Sequence, residues 1–216
     1  MKSNKIEIPG FSEIYGSIPA GSVILLLGEP GSGNDIFAIQ ALYNYALKNG
    51  NVAYLSADNH PNDVIDEMHA YGWKFEKVKA TWKFIDAYSS SNIKEKIGKL
   101  ISYAKEGYWT AIDTITKLWE TLNITEIVKI IRELRGAARK GNGIHFLIAM
   151  KGEVDIKDER TIKRVADGLI ELTPLTEENI GIIRILKMRR KAGTWITIPY
   201  RITKRGIEIE TAMRIV

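Results

Sequence analysis

The stretch Ser22-Val-Ile-Leu-Leu-Leu-Gly28-Glu-Pro-Gly-Ser-Gly33-Asn-Asp35 decides the fold. Its apolar run, Ser22 to Leu27, is continuous and is closed by glycines and a proline, which predicts a strand buried on both faces. From Asp35 onward apolar residues recur at helical spacing, and Gly50 predicts the end of that helix. A buried strand, a glycine-rich turn and a helix form the arrangement in which backbone NH groups bind a phosphate chain.

Strand-like and helix-like segments alternate along the next part of the chain. β-branched apolar runs followed by amphipathic stretches are typical of βαβ units that build a parallel sheet. Strands are predicted at 51–57, 83–87, 109–112 and 144–150, and helices at 62–71, 92–105 and 124–140. Four further strands, joined by short turns, are predicted at 168–172, 181–188, 196–203 and 207–210. We therefore expect one three-layer α/β domain over 1–216, with an N-terminal segment (1–20), a mainly parallel core (21–165) and an antiparallel β extension (166–216).

The composition excludes several classes of protein. The 216 residues are 45% hydrophobic and 26% charged, which is typical of a folded globular chain. No cysteine is present, so disulfides and thiolate chemistry are excluded, and His60, His69 and His145 lack metal-ligand spacing and are expected to be structural. The longest apolar run is far shorter than the roughly 20 residues that span a bilayer, and no signal peptide is evident. We expect a soluble, cytoplasmic protein with no membrane partner, and the net charge of +5 only weakly supports a nucleic-acid partner.

The glycine-rich turn has the spacing of the phosphate-loop signature GxxxxGK[ST], but the last two residues differ. Asn34 replaces the lysine that would reach the β- and γ-phosphates, and Asp35 replaces the hydroxyl residue that would hold Mg²⁺. Each change of charge would weaken nucleotide binding by about 4 kcal/mol, which is the interaction energy of a charge pair roughly 4 Å apart at an effective dielectric of about 20. Asn and Asp also favour helix N-termini, so either residue would satisfy the NH groups that a phosphate otherwise binds. Two alternatives follow. Either the loop binds no nucleotide and its own side chains satisfy its NH groups, or it still binds a nucleotide.

Several segments together resemble the KaiC-like branch of the RecA superfamily of P-loop ATPases. Residues 8–11 and 17–33 are similar to the family's N-terminal strand, its "GGIPxGS" turn and its Walker A motif. Residues 52–61 are similar to the segment that in the family ends in two glutamates, and residues 166–172 and 198–209 to its C-terminal β signatures. In this order and spacing the segments cover nearly the whole chain. The resemblance implies a RecA-like P-loop NTPase fold, with a degenerate Walker A motif.

The resemblance also implies roles for single residues. A nucleotide would contact a set of loop residues: Gly28, Gly31, Ser32, Gly33, Asn34 and Asp35. The family's catalytic glutamates fall on Asp58 and Asn59, of which the first is shorter and the second is uncharged. Asp113, at the end of a predicted strand, matches the Walker B carboxylate that holds Mg²⁺. Lys187 and Arg189 match the KxR signature that projects toward the nucleotide of a neighbouring subunit.

Each of these positions also has a structural interpretation. Residues 58–61 would form a turn that starts the next helix, and Asp113 would cap the turn after its strand. The cations around Lys187 and Arg189 would keep an edge hairpin soluble. The charged segment 151–164 lies where recombinase relatives place a DNA-binding loop, but its charges nearly cancel and it has no aromatic residue. We expect that segment to be a solvated loop.

The sequence favours a non-catalytic regulatory or scaffolding subunit, with no cofactor expected. Its partner would be a protein, either a second copy of the chain or an intact KaiC-like ATPase. A weak or partner-dependent ATPase, with ATP and Mg²⁺ held through Asp113, is the alternative from the enzyme class. A third interpretation is a DNA accessory factor similar to recombinase paralogues.

Overall fold

The structure, a computed structural model, describes residues 2–89, 92–175, 180–193 and 195–210. The strands are β1 (Ser3–Asn4), β2 (Ile18–Pro19), β3 (Ser22–Gly28), β4 (Val52–Ser56), β5 (Trp82–Asp86), β6 (Trp109–Asp113), β7 (Ile144–Met150), β8 (Gly168–Pro174), β9 (Ile180–Met188), β10 (Ile196–Thr203) and β11 (Gly206–Ile209). The helices are α1 (Phe11–Tyr15), α2 (Asn34–Leu47), α3 (Pro61–Ala70), α4 (Ile93–Lys105), α5 (Ile124–Gly141) and α6 (Ile156–Val165), and short 3₁₀ turns lie at Phe75–Lys77 and Thr116–Glu120. Within the described residues, none of these helices is long and apolar enough to cross a membrane.

Nine strands form one sheet in the order β11-β10-β9-β8-β3-β7-β6-β4-β5. The six strands from β8 to β5 are parallel. β9, β10 and β11 then continue the sheet antiparallel from β8. The predicted α/β fold, with a mainly parallel sheet and an antiparallel C-terminal extension, is confirmed.

The sheet has a hydrophobic core on each face, which gives three layers. Every residue of β3 is buried, because β7 and β8 flank this strand and helices cover both of its faces. One core lies under α2 and the N-terminal segment, where Ile6, Phe11 and Ile18 are fully buried. The other core lies under α4, α5 and α6. As a result, α2 starts just beyond the carboxyl end of the central strand and is fixed to the sheet by packing.

The structure differs from the sequence-based expectation at the charged segment 151–164. This segment is not a solvated loop, because α6 occupies Ile156–Val165. Asp155 caps the helix by accepting a hydrogen bond from the Lys157 NH at 2.8 Å. Only Ile162 and Val165 are buried. Two apolar anchors in ten residues are too few to show helical spacing in the sequence, so the prediction was wrong.

The three histidines have structural surroundings, as expected. His60 caps α3, and His69 lies 3.4 Å from Glu76. His145 is fully buried in β7, where its Nδ1 pairs with the Thr110 hydroxyl at 3.0 Å. Burial lowers the pKa of His145 to about 3, so this ring is neutral near pH 7. In the described part of the chain no group of three or more His or acidic residues could hold a metal ion.

Candidate functional site

The phosphate-loop position lies between the carboxyl end of β3 and the first turn of α2. Its backbone is left-handed at Gly31 and Gly33, with φ of 77° and 70°, a conformation that glycine adopts without strain. A Cβ atom at Gly28 would lie 2.2 Å from the Ser32 hydroxyl, so the turn closes tightly on the end of its own strand. The glycines therefore serve the tight strand-to-helix turn that their spacing predicted.

Asn34 is buried against the sheet at the start of α2. Only 3% of the residue is exposed, and its Nδ2 donates a hydrogen bond to the Ala149 carbonyl of β7 at 2.9 Å. Gly33 is the residue that precedes the helix, and no side chain caps α2. The idea that Asn34 caps the helix was therefore wrong. The residue that replaces the signature lysine instead ties α2 to the neighbouring strand.

Asp35 is half-buried in the first turn of α2. Its Oδ1 accepts a hydrogen bond from the Ile36 NH at 2.8 Å, so it satisfies one of the free NH groups at the helix start, as expected. Burial raises the pKa of Asp35 above its usual value, and the bond from Ile36 opposes that rise. A carboxylate thus occupies the position where the signature has a neutral hydroxyl.

Asp113 ends β6 and faces Tyr54, which the sequence did not single out. The Tyr54 hydroxyl, on β4, donates a hydrogen bond to Asp113 Oδ2 at 2.6 Å, and both side chains are buried. Burial raises the pKa of Asp113 to about 7; the tyrosine bond opposes the rise, and the charges of Asp35, Asp58 and Glu67 add to it. Burial, with the charge of Asp35, also raises the pKa of Glu67 to about 7. The surroundings of Asp113 therefore include several acidic groups that interact with one another.

Thr114, not Asp113, closes the turn that follows β6. The Thr114 hydroxyl accepts hydrogen bonds from the Lys117 NH at 3.3 Å and from the Thr116 hydroxyl at 2.9 Å. The peptide bond between Asp113 and Thr114 is cis. The interpretation of Asp113 as a cap of this turn was therefore wrong, and its carboxylate is directed to Tyr54.

Asp58 and Asn59 lie in an exposed turn between β4 and α3. The Asn59 carbonyl accepts a hydrogen bond from the Ser56 hydroxyl, which closes the turn. His60 then forms reciprocal capping hydrogen bonds with the first turn of α3, which begins at Pro61. The interpretation of 58–61 as a turn that starts a helix is confirmed.

Lys151, which follows β7, is a cation beside the phosphate loop. Its Nζ lies 2.9 Å from Glu29 Oε1, and its backbone NH donates a hydrogen bond to the Gly28 carbonyl at 2.8 Å. Both members of the ion pair are partly exposed. The positive charge of Lys151 is thus offset by an acidic residue of the loop itself.

Lys187 and Arg189 lie at the end of β9, beside the C-terminus of α6. The Lys187 Nζ donates to three carbonyls there, those of Lys163, Arg164 and Ala166, at 2.9, 2.9 and 2.6 Å. The Arg189 guanidinium donates to the Arg164 carbonyl at 3.3 Å. Free carbonyls at a helix C-terminus favour such cations. Both side chains extend to the same side of the hairpin, and Lys187 is held firmly within its own chain.

The sheet order, the buried central strand and the glycine turn into α2 define an α/β protein of the RecA-like P-loop class. The chain belongs to the KaiC ATPase family, because the family described as "ATPase: KaiC" matches residues 4–214. The resemblance inferred from the motifs is thereby confirmed.

Individual relatives extend over nearly the whole chain. A UPF0273 protein of Sulfurisphaera tokodaii is 37% identical over 94% of this chain and 80% of its own length. The circadian clock oscillator protein KaiC of Synechococcus elongatus is 26% identical over 94% of this chain, which corresponds to 43% of that protein. The crystal structure of the KaiC-like protein PH0186 from Pyrococcus horikoshii matches with a TM-score of 0.78 and 23% identity, over 97% of this chain and 99% of that one. This last likeness concerns the fold alone.

Proposed function

We propose that this KaiC-family chain does not turn over ATP at its own site and serves as a regulatory or scaffolding subunit. The buried hydrogen bond from the Asn34 amide to the Ala149 carbonyl carries the proposal. A phosphate-loop lysine acts because its ammonium group reaches the β- and γ-phosphates. Asn34 has no charge, is shorter than lysine, and its amide is already engaged by the sheet. The phosphate loop keeps its position in the fold, but this residue no longer supplies a cation for the phosphates.

The charges around the loop support the same proposal. Asp35 adds an acidic group at the start of α2, and Glu67 and Asp113 interact with it electrostatically. Lys151 is paired with Glu29. Acidic groups in a partly buried site oppose the phosphates of a nucleotide unless a bound cation offsets them. Of the residues expected to hold Mg-ATP, Asp113 fits the metal, but Asn34 and Asp35 do not fit the phosphates.

The residues at the positions of the catalytic glutamates do not restore a general base. An amide such as that of Asn59 cannot accept a proton in this role. Asp58 is one methylene shorter than glutamate and lies in an exposed turn. Neither residue supplies what activation of a water molecule requires.

The purified protein is expected to show no Mg²⁺-dependent ATP hydrolysis above background and no heat of Mg-ATP binding, because the cation of the loop is absent. Phosphate release and titration calorimetry, each with and without Mg²⁺, test this. Hydrolysis that disappears in Asp113→Ala but persists in Asp66→Ala would contradict the proposal. Asp66 is a suitable control because it is an exposed carboxylate of α3.

A weak or partner-dependent ATPase is the second candidate, and two features favour it. Asp113 still ends β6, where the family has its metal carboxylate. The fully buried Ser32 hydroxyl has no hydrogen-bond partner among the residues that the structure describes. Under this alternative Asp113 would hold Mg²⁺ and the backbone of 31–33 would bind phosphate. Calorimetry with an intact KaiC-like partner would favour it if the complex bound more Mg-ATP than the partner alone and the excess disappeared in Asp113→Ala.

The regulatory role would be exerted on the nucleotide of a neighbouring subunit through Arg189. Lys187 would have to give up three hydrogen bonds to leave α6, whereas Arg189 is exposed and makes one long bond. A guanidinium placed near a partner's phosphates stabilises the charge that develops during transfer. We therefore assign the action on the partner to Arg189, and the positioning of the hairpin on α6 to Lys187. The partner would be an intact KaiC-like ATPase or, for scaffolding, a second copy of this chain.

Arg189→Ala is expected to change the partner's ATPase rate severalfold while its affinity for the partner changes little, since most of the interface remains. The partner's rate is measured at matched occupancy of wild-type or variant protein. Arg139→Ala, which removes an exposed arginine of α5, is the matched control. Equal rates for wild type and Arg189→Ala would exclude an action of this hairpin on the partner's nucleotide.

A further inference from the structure

The net positive charge of the chain is concentrated in strands β9 to β11, since the whole extension (166–216) has nine Lys and Arg against six Asp and Glu. Between residues 180 and 210 the sequence has eight Lys and Arg but only two acidic residues, Glu208 and Glu210. This excess of six positive charges exceeds the +5 of the whole chain, so the remainder is close to neutral. Such an asymmetry creates a positive field over one surface and favours an anionic partner there.

Cations around the β9–β10 hairpin are held in place by backbone carbonyls. Besides Lys187 and Arg189, Arg190 donates to the Ala20 and Gly21 carbonyls, each at 2.9 Å. Lys191 donates to the carbonyls of Tyr15 and Ser17 at 2.6 and 2.7 Å. A carbonyl orients a cation without cancelling its charge. The cations of the hairpin are therefore fixed in position by neutral groups.

Trp195 is an exposed aromatic residue of the same hairpin. It is 83% exposed, more than any other large hydrophobic side chain in the described part of the chain. It lies two residues before Thr197, which is the cross-strand partner of Arg184 on β9. Thr197 and Arg184 are both exposed, and the neighbours of Arg184 in β9, Ile183 and Ile185, are fully buried. Alternation therefore places Thr197 and Arg184 on the outer face, and Trp195 directly precedes the strand that carries Thr197.

We propose that the basic hairpin face, defined by Trp195, Arg184 and Arg189, binds single-stranded nucleic acid. Solubility alone accounts for the cations but not for an exposed tryptophan among them. Proteins that bind single strands combine a positive track for the backbone with aromatic rings on which bases stack. Charge without the ring would suit any polyanion, and the ring adds affinity for a flat base. This inference does not depend on the proposed loss of ATP turnover. It shares Arg189 with the proposed action on a partner, but Trp195 and Arg184, which carry it, take no part in that action.

Binding is tested by fluorescence anisotropy with a labelled oligothymidylate of about 20 nucleotides, and with heparin as a polyanion without bases. Trp195→Ala is expected to weaken oligonucleotide binding about tenfold and to leave heparin binding unchanged, whereas Trp195→Phe retains most of the affinity. Arg184→Ala is expected to weaken the binding of both ligands. It is also expected to reduce the slope of log affinity against log salt concentration by about one. Each variant is checked for an unchanged thermal melt.

Two variants elsewhere on the surface are the matched controls. Tyr88→Ala removes an exposed ring next to β5, at the opposite edge of the sheet, and Arg132→Ala removes an exposed arginine of α5. Both are expected to bind the oligonucleotide like the wild type.

The proposal would be overturned by equal oligonucleotide binding of wild type and Trp195→Ala, or by tighter binding of the wild type to phosphatidylserine vesicles than to the oligonucleotide. It would also be overturned if Trp195→Ala altered only the mass of the protein in solution, since the face would then join copies of the chain.

Discussion

Combining Asn34→Lys with Asp35→Thr is expected to tighten Mg-ATP binding by about 100-fold or more, which brings it into the range of titration calorimetry. Lysine returns the point charge that reaches the β- and γ-phosphates, and threonine removes a negative charge and supplies the hydroxyl that binds Mg²⁺. The backbone needed for this is present, since Gly31 and Gly33 have the left-handed conformation of the turn. Asp113 remains at the end of β6 as the metal carboxylate.

Asn34→Met combined with Asp35→Thr is the matched control for this rescue. It also removes the Asn34 bond to Ala149 and the carboxylate, and it adds a long side chain, but it supplies no cation. It should therefore bind Mg-ATP much more weakly than the lysine variant. If the folded Asn34→Lys, Asp35→Thr protein shows no binding, the loop has been rebuilt beyond its two changed residues. The assignment of 28–35 as a phosphate-loop position would then be wrong.

The general fold could be predicted because its main signals are local. The continuous apolar run of β3 predicts burial on both faces, and every residue of the strand is buried. The helix predicted from Asp35 begins at Asn34, and the helix predicted at 62–71 begins at Pro61. The N-terminal helix α1 was not predicted, because five residues with two buried side chains give little periodicity.

The details of the site depend on contacts between distant parts of the chain. The Asn34 bond to Ala149 spans 115 residues, and the Tyr54 bond to Asp113 spans 59. The preference of Asn for helix N-termini predicted that Asn34 caps a helix. Its amide instead donates to a buried carbonyl of the adjacent strand. A signal for Tyr54 did exist in the sequence, since a tyrosine inside a buried strand requires a partner for its hydroxyl. The identity of that partner depends on the order of β4 and β6 in the sheet.

Asp167, at the start of β8, is a buried charge that connects several elements. The Nε of Arg135 in α5 donates to its Oδ1 at 3.0 Å, and Nη2 of the same guanidinium lies 2.9 Å from that oxygen. The Val23 NH of β3 donates to its Oδ2 at 3.3 Å. Its backbone NH donates to the Val23 carbonyl at 2.8 Å, and its carbonyl accepts from the Arg189 NH at 2.9 Å. The side chain of Asp167 is only 1% exposed, against 17% for Arg135. One residue therefore joins α5, the central strand and the C-terminal hairpin.

Arg135→Met is expected to lower the free energy of unfolding by about 3–5 kcal/mol, since it removes the guanidinium that is paired with the buried charge of Asp167. Methionine keeps most of the apolar stem of arginine, so the loss reflects the charge rather than packing. Urea unfolding measures the change. Arg132→Met, on an exposed position of the same helix, is the control and should stay within about 0.5 kcal/mol of wild type.

Adding Asp167→Asn to Arg135→Met is expected to recover much of that loss, because an uncharged amide oxygen still accepts the Val23 NH while no buried charge remains. A loss below about 1 kcal/mol for Arg135→Met alone would contradict this role of the pair. The segment 166–172 resembles a family signature, yet in this chain Asp167 makes contacts with the framework and none of them requires a phosphate. Because the pair fixes α5, β3 and β8 without a ligand, the fold of the family can persist in a chain whose phosphate-loop residues have changed.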